Sequence, residues 1–403
     1  MNSKEKVSLS DYNTLVMNSP FIYTRPLRPE EVLGRTAGTD WLASNLLKGQ
    51  HSVVWDHSKT GKSSLINKVL MQIGKSEQAP LSCRLSCFNI RSEYSFYAAL
   101  TNALFHQVAN TLGEWDMLVN TLLPVSHPEI NVPHFQGEVF SLVFEDITPE
   151  AAAELASFPQ TLAAYLNKPV IVVIESFQTL VQAQGTKLQD LCRNLALLWE
   201  KMKGVTFLLS GCGSTQSTGY SIFRELFGYG KPFHKFAEHI PLEPIEEKEF
   251  TDYIIRNFAK AGRVISKDFA EMIYRKMEGH PYYVQYFSDI CFLNTKGYMN
   301  ETMFLDGTNE LFEIFRYSFE HTCQNLHTQQ IHFLRAMAAG EEQLCSQEVL
   351  QKYFLYSSAH VYRAREALEK KEIIKIVRKK PQFVDPLFKL WFTERFIKTY
   401  WIP

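Results

Sequence analysis

The feature that most constrains this chain is the stretch from Ser52 to Leu65, Ser-Val-Val-Trp-Asp-His-Ser-Lys-Thr-Gly-Lys-Ser-Ser-Leu. The β-branched pair Val53 and Val54 leads into a turn. Gly61-Lys62-Ser63 then opens a segment that carries Leu65, Ile66, Val69, Leu70 and Ile73 at helical spacing. Strand, loop and helix in that order, with positions 56 to 63 spaced as G-x-x-x-x-G-K-[ST], describe a phosphate-binding loop. In such a loop backbone N–H groups wrap phosphate oxygens, the lysine (Lys62) reaches the β/γ oxygens and the hydroxyl (Ser63) binds Mg²⁺. The following helix aims its positive end at the same place. The predicted cradle is therefore Asp56, His57, Ser58, Lys59, Thr60, Gly61, Lys62, Ser63 and Ser64, and the expected cofactors are ATP or ADP with Mg²⁺. A chance Gly-Lys-Ser turn would lack the flanking strand and helix. One position departs from the pattern, because Asp56 stands where the first glycine belongs.

A second strand-like run, Leu81 to Ile90, precedes a helical pattern through Phe96, Leu100, Leu104 and Val108. The interval 113–165 is less regular. Pro124, Pro128 and Pro133 mark loops in it, Ala151 to Leu155 suggests a helix, and it carries no chemistry that the residues disclose. Next comes Pro169-Val-Ile-Val-Val-Ile-Glu-Ser-Phe-Gln178, whose apolar β-branched run reads as a buried parallel strand ending in an acid. Downstream of a phosphate loop, this is the place of a Walker B strand. Its acid, Glu175, would help Ser63 hold Mg²⁺, and in many such ATPases a neighbouring glutamate activates the attacking water. Here that neighbour is Ser176, which cannot act as a carboxylate base.

A helix from about Lys187 to Lys203 leads to Val205-Thr-Phe-Leu-Leu-Ser-Gly211. Ser210 at the end of this strand, followed by Gly211-Cys-Gly-Ser214, is placed to put a small polar group beside a γ-phosphate; a plain Gly-Ser turn is the alternative. Glu238 to Leu242 reads as the last strand. The alternation of strand and helix implies a parallel sheet. From Glu246 the pattern turns helical, with stripes at Phe250, Tyr253, Ile254, Phe258 and at Phe269, Ile273, Met277. A third helix opens at Gly279-His-Pro-Tyr-Tyr-Val-Gln285, where Pro281 suits a first turn. These segments suggest a small helical lid.

The last ninety or so residues carry three helical segments, around Ile331 to Met337, from Ser346, and after Ser357-Ser358 with Val361, Ala364 and Leu368 inward. Ile373 to Val384 reads as strand, turn and strand, which is the order of a winged helix. The bases Arg363, Arg365, Lys370, Lys371, Lys375, Arg378, Lys379 and Lys380 outnumber the acids Glu366, Glu369 and Glu372 there. Such a face contacts either nucleic-acid phosphates or another protein surface.

Composition narrows the remaining choices. The 403 residues hold 42 basic and 43 acidic side chains, so overall charge favours neither nucleic acid nor a membrane surface. Met1 to Asn18 is polar, and apolar runs such as Val170 to Ile174 are too short to span a bilayer. A cytoplasmic protein with no membrane partner is expected. The seven cysteines are scattered, the nearest pair being Cys83 and Cys87, and are expected to be reduced core thiols.

Taken together, Gly61-Lys62-Ser63, Glu175-Ser-Phe-Gln178, Ser210-Gly-Cys-Gly-Ser214, Lys231-Pro-Phe-His234, Gly279-His-Pro-Tyr-Tyr-Val-Gln285 and Asp385-Pro-Leu-Phe-Lys-Leu-Trp391 resemble the archaeal-type ATPases of prokaryotes, an AAA+-like, STAND-related group. The resemblance spans about 20 to 398. It implies an α/β P-loop NTPase core with a parallel sheet (51–245) after a lead-in (1–50), a helical lid (246–310) and a C-terminal winged-helix domain (311–403). It also implies that His280 and Pro281 sit at the lid side of the nucleotide.

The departures bear on function. Where the family typically has glycine, Asp-Glu and arginine-rich loop residues, this chain has Asp56, Glu175-Ser176 and Ser58-Lys59. An ionised Asp56 about 6 Å from a phosphate charge would be repelled by roughly 3 kcal/mol at an effective dielectric of 20, about a hundredfold in affinity. A hydrogen bond from Asp56 into its own turn would remove part of that. Loss of a general base typically removes about 10² to 10⁴ in rate. The expectation is an ATP-binding switch protein with slow or absent hydrolysis, at most a weak ATPase with Glu175 and Ser210 at the reacting end, whose nucleotide state is coupled to the winged helix. The alternative is a nucleotide-independent pseudo-ATPase scaffold, or a DNA-binding regulator in which the winged helix holds duplex DNA; the protein partner is unspecified.

Overall fold

The long apolar runs become the inner strands of one parallel sheet, and their side chains divide by parity between its two faces. The computed structural model describes residues 19–76, 79–133, 135, 139–144, 147–182, 186–215 and 221–399. Strands β1 (Ser52–Asp56) and β2 (Leu81–Ser86) are followed by a small antiparallel hairpin, β3 (Glu129–Asn131) with β4 (Ser141–Val143). Then come β5 (Val170–Glu175), β6 (Val205–Cys212) and β7 (Glu238–His239). The sheet order is β2-β5-β6-β1-β7, and every neighbouring pair is parallel.

Because side chains alternate along a strand, Val53, Trp55, Val172, Ile174, Phe207 and Leu209 face one core, with Trp199 stacked on Phe207 at 4.1 Å. Val54, Ile171, Val173 and Leu208 face the other, against Leu65, Ile66 and Val69 of the phosphate-loop helix Lys62–Gly74. Both faces are dry, which is why the runs are apolar without interruption.

The contacts divide the chain into two compact units. The first joins Arg28–Glu243 to Thr328–Asp385, so the sheet and the winged helix belong to one body. Its winged helix has helices Thr328–Ala338, Gln347–Lys352 and Ser358–Lys370, then β8 (Ile374–Val377) and β9 (Lys380–Phe383). The Ser346 and Ser357 hydroxyls accept from the Val349 and His360 N–H groups and start the second and third helices, as N-caps do. A two-residue turn joins β8 to β9, and its Arg378 and Lys379 both hold positive φ (51° and 67°), the backbone of a tight hairpin.

The interval 113–165 proves more regular than its prolines suggest. Helices Leu112–Leu122 and Pro149–Leu166 flank the β3–β4 hairpin, and Trp115 is buried against Phe105. The prolines fall in the turns or, like Pro159, within a helix. The last strand is shorter than Glu238 to Leu242. Ile240 still donates to Val53 O at 2.9 Å, while the next outward carbonyl of β1, Trp55 O, is approached by the His239 ring at 3.4 Å.

The second unit comprises Met1–Leu27, Pro244–His327 and Pro386–Pro403; its first eighteen positions lie outside the described residues. Helices Glu247–Lys260, Lys267–Lys276 and Pro281–Asn294 carry the stripes read from the sequence. Phe21 packs on Tyr253, Phe258 and Phe292. A single helix, Glu301–Gln324, runs through the expected boundary at 310/311. Phe388 and Trp391 of the Asp-Pro-Leu-Phe-x-x-Trp segment pack on its Phe319, at 5.4 and 5.5 Å.

All seven cysteines are free thiols, and Cys83, Cys87, Cys192, Cys291 and Cys323 are buried. Among the described residues no helix is long and apolar enough to cross a membrane.

Candidate nucleotide site

The end of β1 turns into the loop through residues that leave the standard backbone regions. Lys59 and Gly61 have φ of 61° and 93°. Gly61 is required twice, since a Cβ there would also lie 2.8 Å from Arg35 Nη1. The loop is closed from inside: Lys62 Nζ donates to Asp56 O at 3.0 Å and to His57 O at 2.6 Å, and Thr60 Oγ1 donates to His57 O at 3.0 Å. Arg35 braces it from outside, donating through Nη1 to Thr60 O and through Nε to Glu243 O, both at 2.8 Å. Ser58 and Lys59 form the exposed tip, and Ser63 and Ser64 open the helix.

The Asp56 carboxylate is turned into its own loop, where Oδ1 accepts the His57 N–H at 2.7 Å. It is a local bond of the kind that would temper repulsion of a phosphate on the loop. His57 is buried, and its pKa is pushed down to about 4 by desolvation, with Lys375 and Lys62 adding to the effect and Asp56 opposing it. It is therefore a neutral ring at pH 7. Burial also lowers the pKa of Lys62, against the opposing charges of Cys212, Asp56 and Glu372.

The end of β5 supplies the acid. Glu175 Oε1 accepts the Ser63 hydroxyl at 2.7 Å, so the two residues expected to hold Mg²⁺ are brought together across the sheet. Hydroxyl and carboxylate oxygens are the donor types a hard cation takes, and to that extent the pair fits. Glu175 Oε2, however, accepts from Arg84 Nη2 at 2.8 Å, and Arg84 also donates to Asn67 of the phosphate-loop helix. Among the described residues no three His, Cys, Asp or Glu side chains gather as a metal site. Ser176 takes a left-handed turn (φ 55°) and its carbonyl accepts from Thr179.

On β6 the register pairs Val54 with Ser210, Trp55 with Gly211 and Asp56 with Cys212. Ser210 is buried in the strand, and Cys212 and Gly213 stand level with the start of the loop. Gly211 is a packing requirement, because a Cβ there would lie 2.0 to 2.4 Å from the Trp55 ring. His280 and Pro281 belong to the other unit. There Pro281 begins its helix, and Gly279 (φ 69°) lies where a Cβ would meet the Tyr274 ring.

Comparison with known proteins bears on this arrangement of strands and loop. Residues 317–394 match a family described as a probable winged helix domain. No curated protein sequence matches the chain. Among solved structures, a Walker-type ATPase of Pyrococcus abyssi is similar with a TM-score of 0.61 at 15% identity, covering 91% of this chain and 97% of that one. The fold is AAA+-like: a parallel P-loop sheet followed by helices and a winged helix. The Aeropyrum pernix ORC2 protein, solved in complexes with ADPNP and ADP, is similar to this chain with a TM-score of 0.56 at 12% identity, covering 93% of this chain and 96% of that one.

In this chain the winged helix brings its own charges to the phosphate loop. Glu372 follows the helix Ser358–Lys370 and has φ of 56°; a Cβ on Gly213 would lie 2.9 Å from its Oε1. The residue is exposed overall, yet its carboxyl end points at the loop: burial raises its pKa and the charge of Lys62 opposes that. Lys375 acts on His57 and Asp385 on Lys59. Sequence reasoning counted Glu372 only among the acids of a basic tail and passed over Arg84. A charged residue in the middle of an apolar strand, on the side opposite the buried Cys83 and Leu85, was the available signal for the second.

Proposed function

We propose that this chain is a nucleotide switch: ATP or ADP binds on the loop 57–63, and its arrival is coupled to the winged helix. Lys62 would meet the β/γ-phosphates, with Ser63 and Glu175 beside any metal that accompanies them. Glu372 carries this reading. It places a carboxylate from the winged helix within electrostatic reach of the lysine that a phosphate needs. Two anions cannot share that lysine without repulsion, so nucleotide favours arrangements in which Glu372 withdraws. By linkage, nucleotide shifts the winged helix only by its differential affinity for the two arrangements. Hydrolysis is slow or absent, since Ser176 has no carboxylate to activate water.

The test is Glu372→Gln, which removes the charge and keeps the shape. ATP affinity should rise at least fivefold, about 1 kcal/mol, the low end of charge repulsion across a few ångströms of partly wet protein. Hydrogen exchange in β8 and β9 of the natural protein should speed up when ATP is added. Binding without either effect would leave a nucleotide site uncoupled from the winged helix.

Duplex DNA as a partner is supported by the exposure of Arg363, Arg378 and Lys379, the last two at the wing tip. Against it, Lys380 pairs with Glu342 at 2.6 Å, so part of the basic set is engaged within the chain. DNA binding through phosphates would show a log–log salt slope near minus 0.9 per contact. No binding at low salt would confine the winged helix to protein contacts.

A further inference from the structure

We infer that Arg84 is a built-in cation of the phosphate site, and that nucleotide binds to this chain without needing a divalent metal. The inference rests on the nucleotide-site reading above and concerns the counter-charge of that same site. Its basis is the way Glu175 is used. One carboxylate oxygen takes the Ser63 hydroxyl at 2.7 Å and the other takes the Arg84 guanidinium at 2.8 Å. The acid that would attract a metal is thus already neutralised, and by a group of the same sign as the metal.

Arg84 is held there from two sides. The register of β2 on β5 pairs Arg84 with Val173 and Ser86 with Glu175. Since residues two apart share a face, Arg84 and Glu175 lie on the same side of the sheet. The second anchor is Asn67, one helical turn after Ser63, whose side-chain oxygen accepts from Arg84 Nη1. A guanidinium fixed at both ends loses little further freedom on meeting a ligand. Two of its five N–H donors are used in these bonds, and the others suit phosphate oxygens, which a planar fork binds well. A divalent ion brought to the same carboxylate would face this positive charge and would have to detach it first. An arginine in this place therefore does for the phosphates what the ion does elsewhere: it offsets their charge beside Ser63.

Calorimetric titration of the full chain with ATP, once in excess MgCl₂ and once in EDTA, tests this. The dissociation constants should agree within about threefold. Arg84→Met keeps the length of the side chain and removes the charge. It should lose at least tenfold in EDTA, about 1.4 kcal/mol, and recover most of that in MgCl₂ as the ion gains access to Glu175. A tenfold or greater loss in EDTA for the natural protein would overturn the inference, and that comparison needs no variant to fold. Equal binding by Arg84→Met and the natural protein in EDTA would overturn it too. Absence of ATP binding under both conditions would remove the nucleotide site itself, and this inference with it.

Discussion

The two strand ends that make the candidate site depart differently from the phosphate-loop pattern. At the end of β1 the phosphate-binding parts are backbone groups and one lysine, bonded to the Asp56 and His57 carbonyls and braced by Arg35. The unusual residue there, Asp56, is absorbed locally, because its carboxylate bonds to the next N–H. At the end of β5 everything depends on side-chain identity, and there a serine stands beside the acid while an arginine holds it. Binding built from backbone survives a substitution; hydrolysis built from particular side chains does not. On the reading proposed above, that contrast would separate binding of a nucleotide from its hydrolysis within one site.

The largest expected effect tests whether the β1 end tolerates change in its packing as it does in its loop. Gly211→Ala would drive a methyl into the Trp55 ring, at 2.0 Å before relaxation. Overpacking of this kind typically costs 1 to 3 kcal/mol and occasionally more, and about 3 is expected here. Urea denaturation measures it, and a loss below 1 kcal/mol would mean that Trp55 is not clamped on the strand.

Almost as large is a pH effect carried by His57. Its pKa in the folded protein, about 4, lies below the ordinary value of 6.5. As pH falls through 6.5 the unfolded chain takes up the proton while the folded one does not. Its contribution to stability is therefore complete above pH 6.5 and is lost progressively down to pH 4. The ceiling is about 3 kcal/mol. His51 and His239, also lowered by burial, act in the same direction. Denaturation midpoints at pH 7.5 and 5 should differ, and His57→Gln should narrow the gap; an unchanged gap would clear His57 of the effect.

Next is Lys62→Ala, which should weaken ATP by at least tenfold through loss of a charge-assisted contact. Isotherms that coincide with those of the natural protein would move the site elsewhere. The smallest effect sharpens the comparison most. Asp56→Gly supplies the first glycine of the phosphate-loop pattern, yet ATP should tighten by less than tenfold, because the carboxylate is already tied to His57 N. A gain near a hundredfold would show that the aspartate repels phosphate at full strength, as it would without that bond.

Much of this molecule follows from local pattern. The apolar run at Val170 to Ile174, short and β-branched throughout, and the run at Val205 to Leu209 read as inner strands, and both are buried on either face of the sheet. Gly61-Lys62-Ser63 between strand and helix defined the loop, and capped, striped segments around Ser346 and Ser357 defined the winged helix. The segments without periodicity were less legible. Of the two helices flanking the β3–β4 hairpin only the second was marked, by Ala151 to Leu155, and β7 proved shorter than its pattern because its pairing with β1 is set by register, not by spacing.

The sequence by itself determined the class of fold, the order of its parts and the backbone half of the phosphate site, because these depend on residues close together in the chain. Tertiary structure alone decided which charges face that site. Arg84 meets Glu175 only through the register of β2 on β5, and Glu372 reaches Gly213 and Lys62 only because the winged helix shares a body with the sheet. Such meetings span ninety and more residues of chain, and charge interactions depend on distance and burial, neither of which is written in the spacing of residues.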